Sequence, residues 1–411
     1  MRILLVIYCI PLFLLAQTNE NKHSMEWNTN LLFESNSLDK SFLNTMLYGG
    51  YITNSIKNNW INAVENKNVF YYEISNGLSY TLERNSHSFG FSCADRNILN
   101  TRFSEDLLRL VFEGNYNYQD NSLFFNNTSI RADRFQQYKI RYATTFVNAN
   151  IHGSVSYLSG NHHFSYMLEK GSLYTAPFGT SLDIEYNISA FITDTSNFSA
   201  FVNNGSGIAI DLGSDFNIKK HNIHLSITDL GFILWSPSSI SLAIDSNFSF
   251  QGIEVEDILS FNDSVLEANN IRNDVLKTNN TSFKSYIPAT FHFKVSGNSD
   301  YKYLKNYTFG IQGKWQPYLD NTPLSFSKIG QGFKESNFKT LYYTQSVFSN
   351  KFCNFIPTLS YGGYSSNTNL GLALSKGKKH NFTIGTHHLE DVLKSSSAKA
   401  VSVYFNIKFQ F

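Results

Sequence analysis

In the last eleven residues, Val401 to Phe411, the residues Val401, Val403, Phe405, Ile407, Phe409 and Phe411 share one parity, and mostly polar residues hold the other. Side chains alternate across a β-strand, so this stretch is a strand with one apolar face. The pattern recurs along the chain. It appears in Tyr138–Phe146, Leu182–Ile192, Ile208–Ile218, Ile223–Ile227, Ile240–Phe250, Phe291–Val295, Tyr307–Trp315, Leu341–Val347, Phe355–Tyr361 and Leu370–Leu374. Most runs approach the roughly 9 to 11 residues that a transmembrane strand needs. Their carboxylates and lysines sit opposite the apolar parity, as expected where one face meets lipid and the other lines a polar lumen. Between Ile227 and Leu230 the apolar phase switches across Asp229-Leu230-Gly231, which a β-bulge or glycine kink would produce.

Connection lengths sharpen the reading. If Phe411 ends on the periplasmic side, counting backwards makes Ser375–Lys379, Ser349–Phe352, Gly297–Leu304 and Ser236–Ser239 periplasmic, and all are short. Leu389–Lys399, Pro317–Lys339 and Ile253–Ser285 become external, and all are longer. Short periplasmic turns with long external loops mark outer-membrane barrels, whereas a secreted β-sandwich has no reason to segregate them. Two connections break the rule: Lys219–Asn222 is short but counts as external, and Thr195–Gly205 is longer but counts as periplasmic. The expectation is an all-β, transmembrane outer-membrane antiparallel β-barrel of about 14 to 16 strands.

The amino terminus agrees with export. Arg2 precedes an apolar core from Ile3 to Leu15, and Leu14-Leu15-Ala16-Gln17 suits cleavage after Ala16. This is the layout of a signal peptide over residues 1–16, too short for a spanning helix, which takes about 20 apolar residues. Cys9 is followed by more of the apolar core, which argues against a lipoprotein anchor. Residues 17–67 alternate poorly and are expected to form a separate amino-terminal segment, with a short strand at Asn28–Glu34. Ile52, Ile56, Trp60 and Val64 recur at helical spacing, so this segment carries an amphipathic helix, packed on a surface or seated in the lumen as a hatch. Residues 68–411 are expected to be the barrel. A second helix is signalled at Ser104, with Glu105 and Asp106 at its positive end, Phe103 stapled to Leu108, and Gly114 to stop it. Ile258, Leu259, Val265, Leu266, Val275 and Leu276 suggest further helix in the longest external loop.

Composition excludes little but is consistent. Lys plus Arg number 33 against 32 Asp plus Glu, which offers no electrostatic footprint for nucleic acid. Aromatics make up 16% of residues and prolines number only 7. After signal removal Cys93 and Cys353 remain, each on an apolar parity, and both read as small outward-facing residues rather than a disulfide.

Motifs of chemistry are missing. Gly-x-Ser-x-Gly, His-Glu-x-x-His and a phosphate-binding glycine loop do not occur. The close histidine pairs are His162/His163, His387/His388 and His221/His224. Adjacent histidines on a strand face opposite ways, so these are expected as exposed rim residues without metal. No cofactor and no enzymatic activity are expected, although a Ser or Asp set beside a His from distant strands would leave no local signature. Asp211, Asp215 and Asp229 are the candidate lumen-facing residues. They would tune the lumen through Lys, Arg or water, or Asp211 and Asp229 would simply anchor the two Asp-Leu-Gly turns by backbone hydrogen bonds.

Several segments resemble a known group. They are Phe103-Ser-Glu-Asp-Leu-Leu-Arg-Leu-Val-Phe-Glu-Gly-Asn115, the Ile208-Ala-Ile-Asp-Leu-Gly213 strand with Ile227-Thr-Asp-Leu-Gly-Phe-Ile-Leu-Trp235, and Asn369-Leu-Gly-Leu-Ala-Leu374 with the final strand. In this order they are similar to an uncharacterised, Bacteroidota-type family of outer-membrane β-barrels. That family is distantly similar to fatty-acid transporter barrels and to the PorV-like barrels of type IX secretion. The resemblance implies a barrel in the cell outer membrane and brings no known activity or site. Expected partners are outer-membrane lipid, a barrel assembly machinery resembling the Bam complex that would read Phe411, and an envelope or secretion-apparatus protein. Two functions remain open at this level: passage of a small or hydrophobic ligand, or a non-transporting structural or docking barrel.

Overall fold

The structure is a computed structural model that describes residues 21–37, 40–65, 67–194, 199, 201–250, 278–300, 306–315, 339–345, 348–349, 353–377, 379–393 and 399–411. The signal peptide and the helix expected over residues 258–276 lie outside the described residues.

Fourteen antiparallel strands close into a ring. They are β1 (Asn21–Ser35), β2 (Asn68–Arg84), β3 (His87–Phe103), β4 (Thr128–Thr145), β5 (Ala149–Thr175), β6 (Gly205–Ile218) and β7 (His221–Trp235). The ring continues with β8 (Ala289–Asn298), β9 (Asn306–Trp315), β10 (Lys339–Gln345), β11 (Asn354–Gly362), β12 (Asn367–Lys376), β13 (His380–Thr386) and β14 (Ala400–Gln410). Each pairs with the next, and β14 closes on β1 from Ser24↔Gln410 to Glu34↔Ala400. Closure leaves no open edge, the condition for a sheet to sit in lipid. Asn21 and Phe411 lie at one end, hereafter the terminal end; the opposite is the far end.

The outward parity carries the apolar residues. Trp27, Phe91, Ile140, Val155, Leu212, Leu225, Phe293, Ile311, Leu341, Leu359, Leu370, Ile384 and Val403 are all exposed, and they come from thirteen of the fourteen strands. Soluble monomers rarely expose more than a few hundred Å² of contiguous apolar surface, so a belt around the whole circumference is a lipid-facing surface.

The strand Leu182–Ile192 and the strand Ile240–Phe250 belong to the wall but not to the ring. β5 is 27 residues long. Its first half, Ala149–Gly160, pairs with β6; its second half, Phe164–Thr175, pairs with Leu182–Ile192, which in turn pairs with Ile240–Phe250. These two strands raise one side of the wall above the far end. The raised side resolves the two misfit connections. With Ile240–Phe250 removed from the count, Lys219–Lys220 turns at the terminal end, while Thr193–Asn204 and Ser236–Ser239 lie at the far end. Ser236–Ser239 is thus corrected from the terminal side to the far side.

The segment 17–67 also differs from expectation. Its strand runs from Asn21 and is β1, so the ring begins there and not at residue 68. The helix α1 (Lys40–Tyr48) precedes α2 (Asn54–Ala63), which Thr53 caps by accepting from the Ile56 amide at 3.3 Å. Trp60 and Ile61 of α2 are buried against Leu108, Phe33, Phe70 and Phe103. Phe33, Phe70 and Phe103 share the outward parity of Trp27, Tyr80 and Phe91, so α2 rests on the outer wall at the far end rather than in the lumen as a hatch. The helix α3 (Glu105–Glu113) begins and ends as its sequence implied: Ser104 Oγ accepts from the Leu107 amide at 3.2 Å, and Gly114 follows at φ +74°. Its Leu107 and Leu110 join a second cluster, built on Leu123, Phe125, Leu168 and Leu173, that also takes in Leu182, Ile184 and Ile188 of the raised wall. A short helix α4 (Leu389–Leu393) joins β13 to β14.

Candidate functional site

The inward parity decides what the lumen can do, and it is filled from the far end downward. The first layer is apolar. Tyr71, Ile98, Phe135, Leu158, Ile233 and Trp235 point in from β2, β3, β4, β5 and β7 and pack on Phe283 and Ile287, which the chain inserts just before β8. Tyr364, in the turn after β11, stacks on Tyr71 with centroids 4.2 Å apart. Trp235 fits because Gly160 and Gly205 face it: a Cβ there would stand 2.6 and 2.7 Å from its ring. Its Nε1–H donates to Ser285 Oγ at 2.7 Å. Beside this layer Arg131 donates to Asp133 at 2.7 Å and to the Tyr286 carbonyl at 2.5 Å, tying the inserted segment to β4.

Beneath it lies a charged layer. Glu73 of β2 accepts from Arg96 at 2.7 Å, Lys314 at 3.0 Å and the Tyr71 hydroxyl at 2.5 Å. Arg96 donates its other arm to Asp229 at 2.7 Å, and Asp229 also accepts from Gln137 at 2.8 Å and Lys139 at 3.3 Å. Lys139 reaches Asp211 at 2.5 Å, and Asp211 accepts from Ser154 at 2.6 Å. Three carboxylates face three cations, so the cluster is neutral, and each charge has a partner as burial requires. Glu73 on β2 and Lys314 on β9 sit seven strands apart, across the full ring. A circular 14-strand barrel would measure about 28 Å at the backbone. A lysine and a glutamate end to end reach only about half of that. The ring is therefore pinched along this line, and the ion pair bars the lumen.

Asp211 and Asp229 both enter the charged layer, and Asp211 also accepts a backbone hydrogen bond. The chain bulges here, with Thr228 and Asp229 of β7 opposite Asp211 of β6. Asp229 takes φ +60°, a region that Asp tolerates better than most non-glycine residues. Its amide donates to Asp211 Oδ1 at 2.7 Å. One carboxylate of Asp211 thus holds the bulge and balances Lys139. Asp215 stands apart, nearer the terminal end, where His224 Nδ1 lies 2.7 Å from it. Phe411 follows β14 directly, and its amide donates to the His23 carbonyl at 2.8 Å. The histidines depart from expectation: His163 and His388 are buried rather than exposed. His163 contacts Asp133 at 2.7 Å, and His388 contacts Glu34 at 3.0 Å and Ser402 at 3.0 Å. Glu73, Arg96, Lys139 and Lys314 were not singled out from sequence. The usable signal was their inward parity within strands whose other face is apolar.

Two cavities flank the charged layer inside the barrel. One, of about 440 Å³, lies against β9–β14 and meets Lys314, Glu73, Tyr342, Tyr404 and His387. Tyr342 and Tyr404 lie flat over Gly310 and Gly385, where a Cβ would be 2.1 and 2.5 Å from their rings. The second, of about 620 Å³, lies toward the terminal end and meets Lys139, Asp211, Asp215, His224 and Ser226. A third cavity, of about 450 Å³, opens on the outer wall. Tyr72, Leu99, Ala132, Phe164 and Ile192 form one cross-strand row through it, from β2 to the raised strand. Among the described residues no cluster has the arrangement of a metal site.

A closed ring, a circumferential apolar belt and an inward polar parity define a transmembrane β-barrel. The chain belongs to the family of unknown function DUF5723, whose model matches residues 10–387. Sequence comparison with curated proteins finds no match. Among solved structures the chain is similar to the Ralstonia pickettii toluene transporter TbuX, at 10% identity and a TM-score of 0.41, covering 96% of this chain and 90% of that one. It is also similar to the Pseudomonas putida toluene transporter TodX, at 8% identity and a TM-score of 0.39, covering 96% and 89%. The translocator domain of the autotransporter NalP from Neisseria meningitidis gives 7% identity and a TM-score of 0.34, covering 98% and 93%. At this distance nothing of substrate or partner transfers.

Proposed function

We propose that this protein is an outer-membrane barrel with a closed resting lumen, serving as a structural or docking barrel rather than a diffusion pore. The Glu73–Lys314 bridge across the ring, under a dry layer built on Phe283 and Ile287, carries the reading. Short turns at the terminal end support a periplasmic position for that end. The raised wall and the helices α1 to α3 then face outward as the surface offered to a partner. Purified full-length protein in a planar bilayer is expected to give no conductance steps, and sustained ion current would sink the proposal. Crosslinking in the native membrane is expected to trap an envelope protein on the far end; recovery of the barrel alone would count against docking.

The outer-wall cavity favours a second reading, entry of a small hydrophobic ligand from the side. It is apolar, and it lies where β5 bulges at Asn161 and the wall changes partners. Saturable quenching of the tryptophan fluorescence by a brominated aromatic probe, lost on Leu99→Phe, would support it. Absence of saturable quenching would remove it.

A further inference from the structure

The periplasm-facing cavity holds a constellation that a docking barrel does not need. On β7, Ser226 and His224 are two residues apart and both point inward; on β6, Asp215 pairs in register with His224. His224 Nε2 lies 2.9 Å from Ser226 Oγ, and His224 Nδ1 lies 2.7 Å from Asp215 Oδ1. An ionised carboxylate only accepts, so Nδ1 carries the proton and Nε2 is left to accept from the serine hydroxyl. This is the geometry of a nucleophile, a base and an orienting acid, recognised by roles rather than by sequence order.

A second relay has the same geometry: Ser165 and His163 on β5 with Asp133 on β4, at 3.0 and 2.7 Å. It is buried beneath Trp235 and Phe283, whose rings lie 5.4 and 5.1 Å from that of His163, and only its Asp133 and His163 reach the outer-wall cavity. The relay as such is therefore a way to satisfy buried polar groups. What sets Ser226 apart is its surroundings. It lines the 620 Å³ cavity near the terminal end. Its neighbours across the sheet are Gly213 and His292. Gly213 leaves room for the His152 imidazole: a Cβ would be 2.3 Å from His152 Nε2 and 2.9 Å from the Ser226 Cβ. Among the described residues His152 Nδ1 has no hydrogen-bond partner, and it lies 3.9 Å from Asp215 Oδ2. Two imidazoles thus flank the serine, where strand amides, committed to the ladder, cannot serve an oxyanion. Arg141 and Lys294 line the same cavity without a carboxylate partner among the described residues.

We propose that Ser226, His224 and Asp215 form a hydrolytic site for small carboxylic esters bearing an anionic group, which Arg141 and Lys294 would pair. Ser226 Oγ attacks the ester carbonyl carbon while its proton passes to His224 Nε2. His152 and His292 donate to the oxyanion. The carbon–oxygen bond to the alcohol then breaks, and the leaving oxygen takes the proton from His224. Water, deprotonated by the same nitrogen, attacks the acyl group, releases the acid and restores the serine.

Purified full-length barrel in micelles, treated with a fluorescent fluorophosphonate, is expected to label at Ser226. The label disappears in Ser226→Ala, falls in Asp215→Asn, and persists in Ser214→Ala, on the outward parity of β6. Hydrolysis of 4-nitrophenyl hydrogen succinate, an ester with a free carboxylate, falls at least about a hundredfold in Ser226→Ala, and in Asp215→Asn the loss falls on kcat more than on KM. Circular dichroism and unheated gel mobility check that each variant is folded. A folded wild type that takes no label and turns over no faster than Ser226→Ala overturns the proposal, as does a label on Ser165 or any other serine. Conductance plays no part in either readout, so this test and that of the closed lumen fail separately.

Discussion

The bridge across the ring invites a double-mutant cycle on Lys314 and Glu73. Lys314→Met removes one of three donors to Glu73 and leaves the charged layer with one excess negative charge. Removing one member of a buried pair typically costs about 3 to 5 kcal/mol, because the other charge stays buried. Here Arg96 and Tyr71 still hold Glu73, at 2.7 and 2.5 Å, so about 2 kcal/mol is expected. Glu73→Gln removes the carboxylate that Lys314 and Arg96 share, leaving Arg96 on Asp229 and Lys314 on the Tyr71 hydroxyl, and should cost about 3 kcal/mol. The double variant restores charge balance, so its cost should fall short of the summed singles by about 2 kcal/mol. Urea unfolding of the barrel in lipid vesicles, followed by tryptophan fluorescence, measures all three. Additivity within about 0.5 kcal/mol would mean that the two side chains do not share one site, and the barred lumen would fall with them.

Other expectations follow from the same geometry. Gly160→Ala would drive a Cβ to 2.6 Å from Trp235 and should cost about 2 kcal/mol or more by overpacking. Gly153→Ala, with nothing nearer than 3.6 Å, should change the same unfolding curve by less than about 0.5 kcal/mol. Ile140→Arg places a charge on the belt and should cost about 2 to 4 kcal/mol in vesicles, against almost nothing if the belt met water. Asp229→Asn keeps a residue tolerant of φ +60° but removes the charge opposite Arg96; it should be milder than Asp229→Ala, which loses both. Deleting Phe411 should lower the amount of barrel inserted in the outer membrane more than the stability of what is inserted, since it adds one amide bond, to the His23 carbonyl. Quantitative blotting of membrane fractions checks this, and unchanged levels would contradict it.

What this sequence determined by itself is the wall. Period-two alternation is a local property: each residue's face follows from its neighbours in the chain, so strands, lipid side and lumen side could be read wherever the alternation was clean. The helix cap at Ser104 and the phase break at Asp229 were legible for the same reason, being matters of a few consecutive residues. The tertiary structure decided what depends on pairing. Leu182–Ile192 and Ile240–Phe250 alternate like ring strands, yet they pair with the upper half of β5 and with each other, and only that pairing reverses the sides of the connections before them. Poor alternation left β1 as a short strand at Asn28–Glu34 outside the barrel, although the ring needs it to close. The Glu73–Lys314 bridge joins residues 241 apart in sequence, and the Ser226 site draws its acid from the neighbouring strand. Parity can say that a side chain enters the lumen. Which side chain it meets there depends on register and on the flattening of the ring, and neither is written in any one strand.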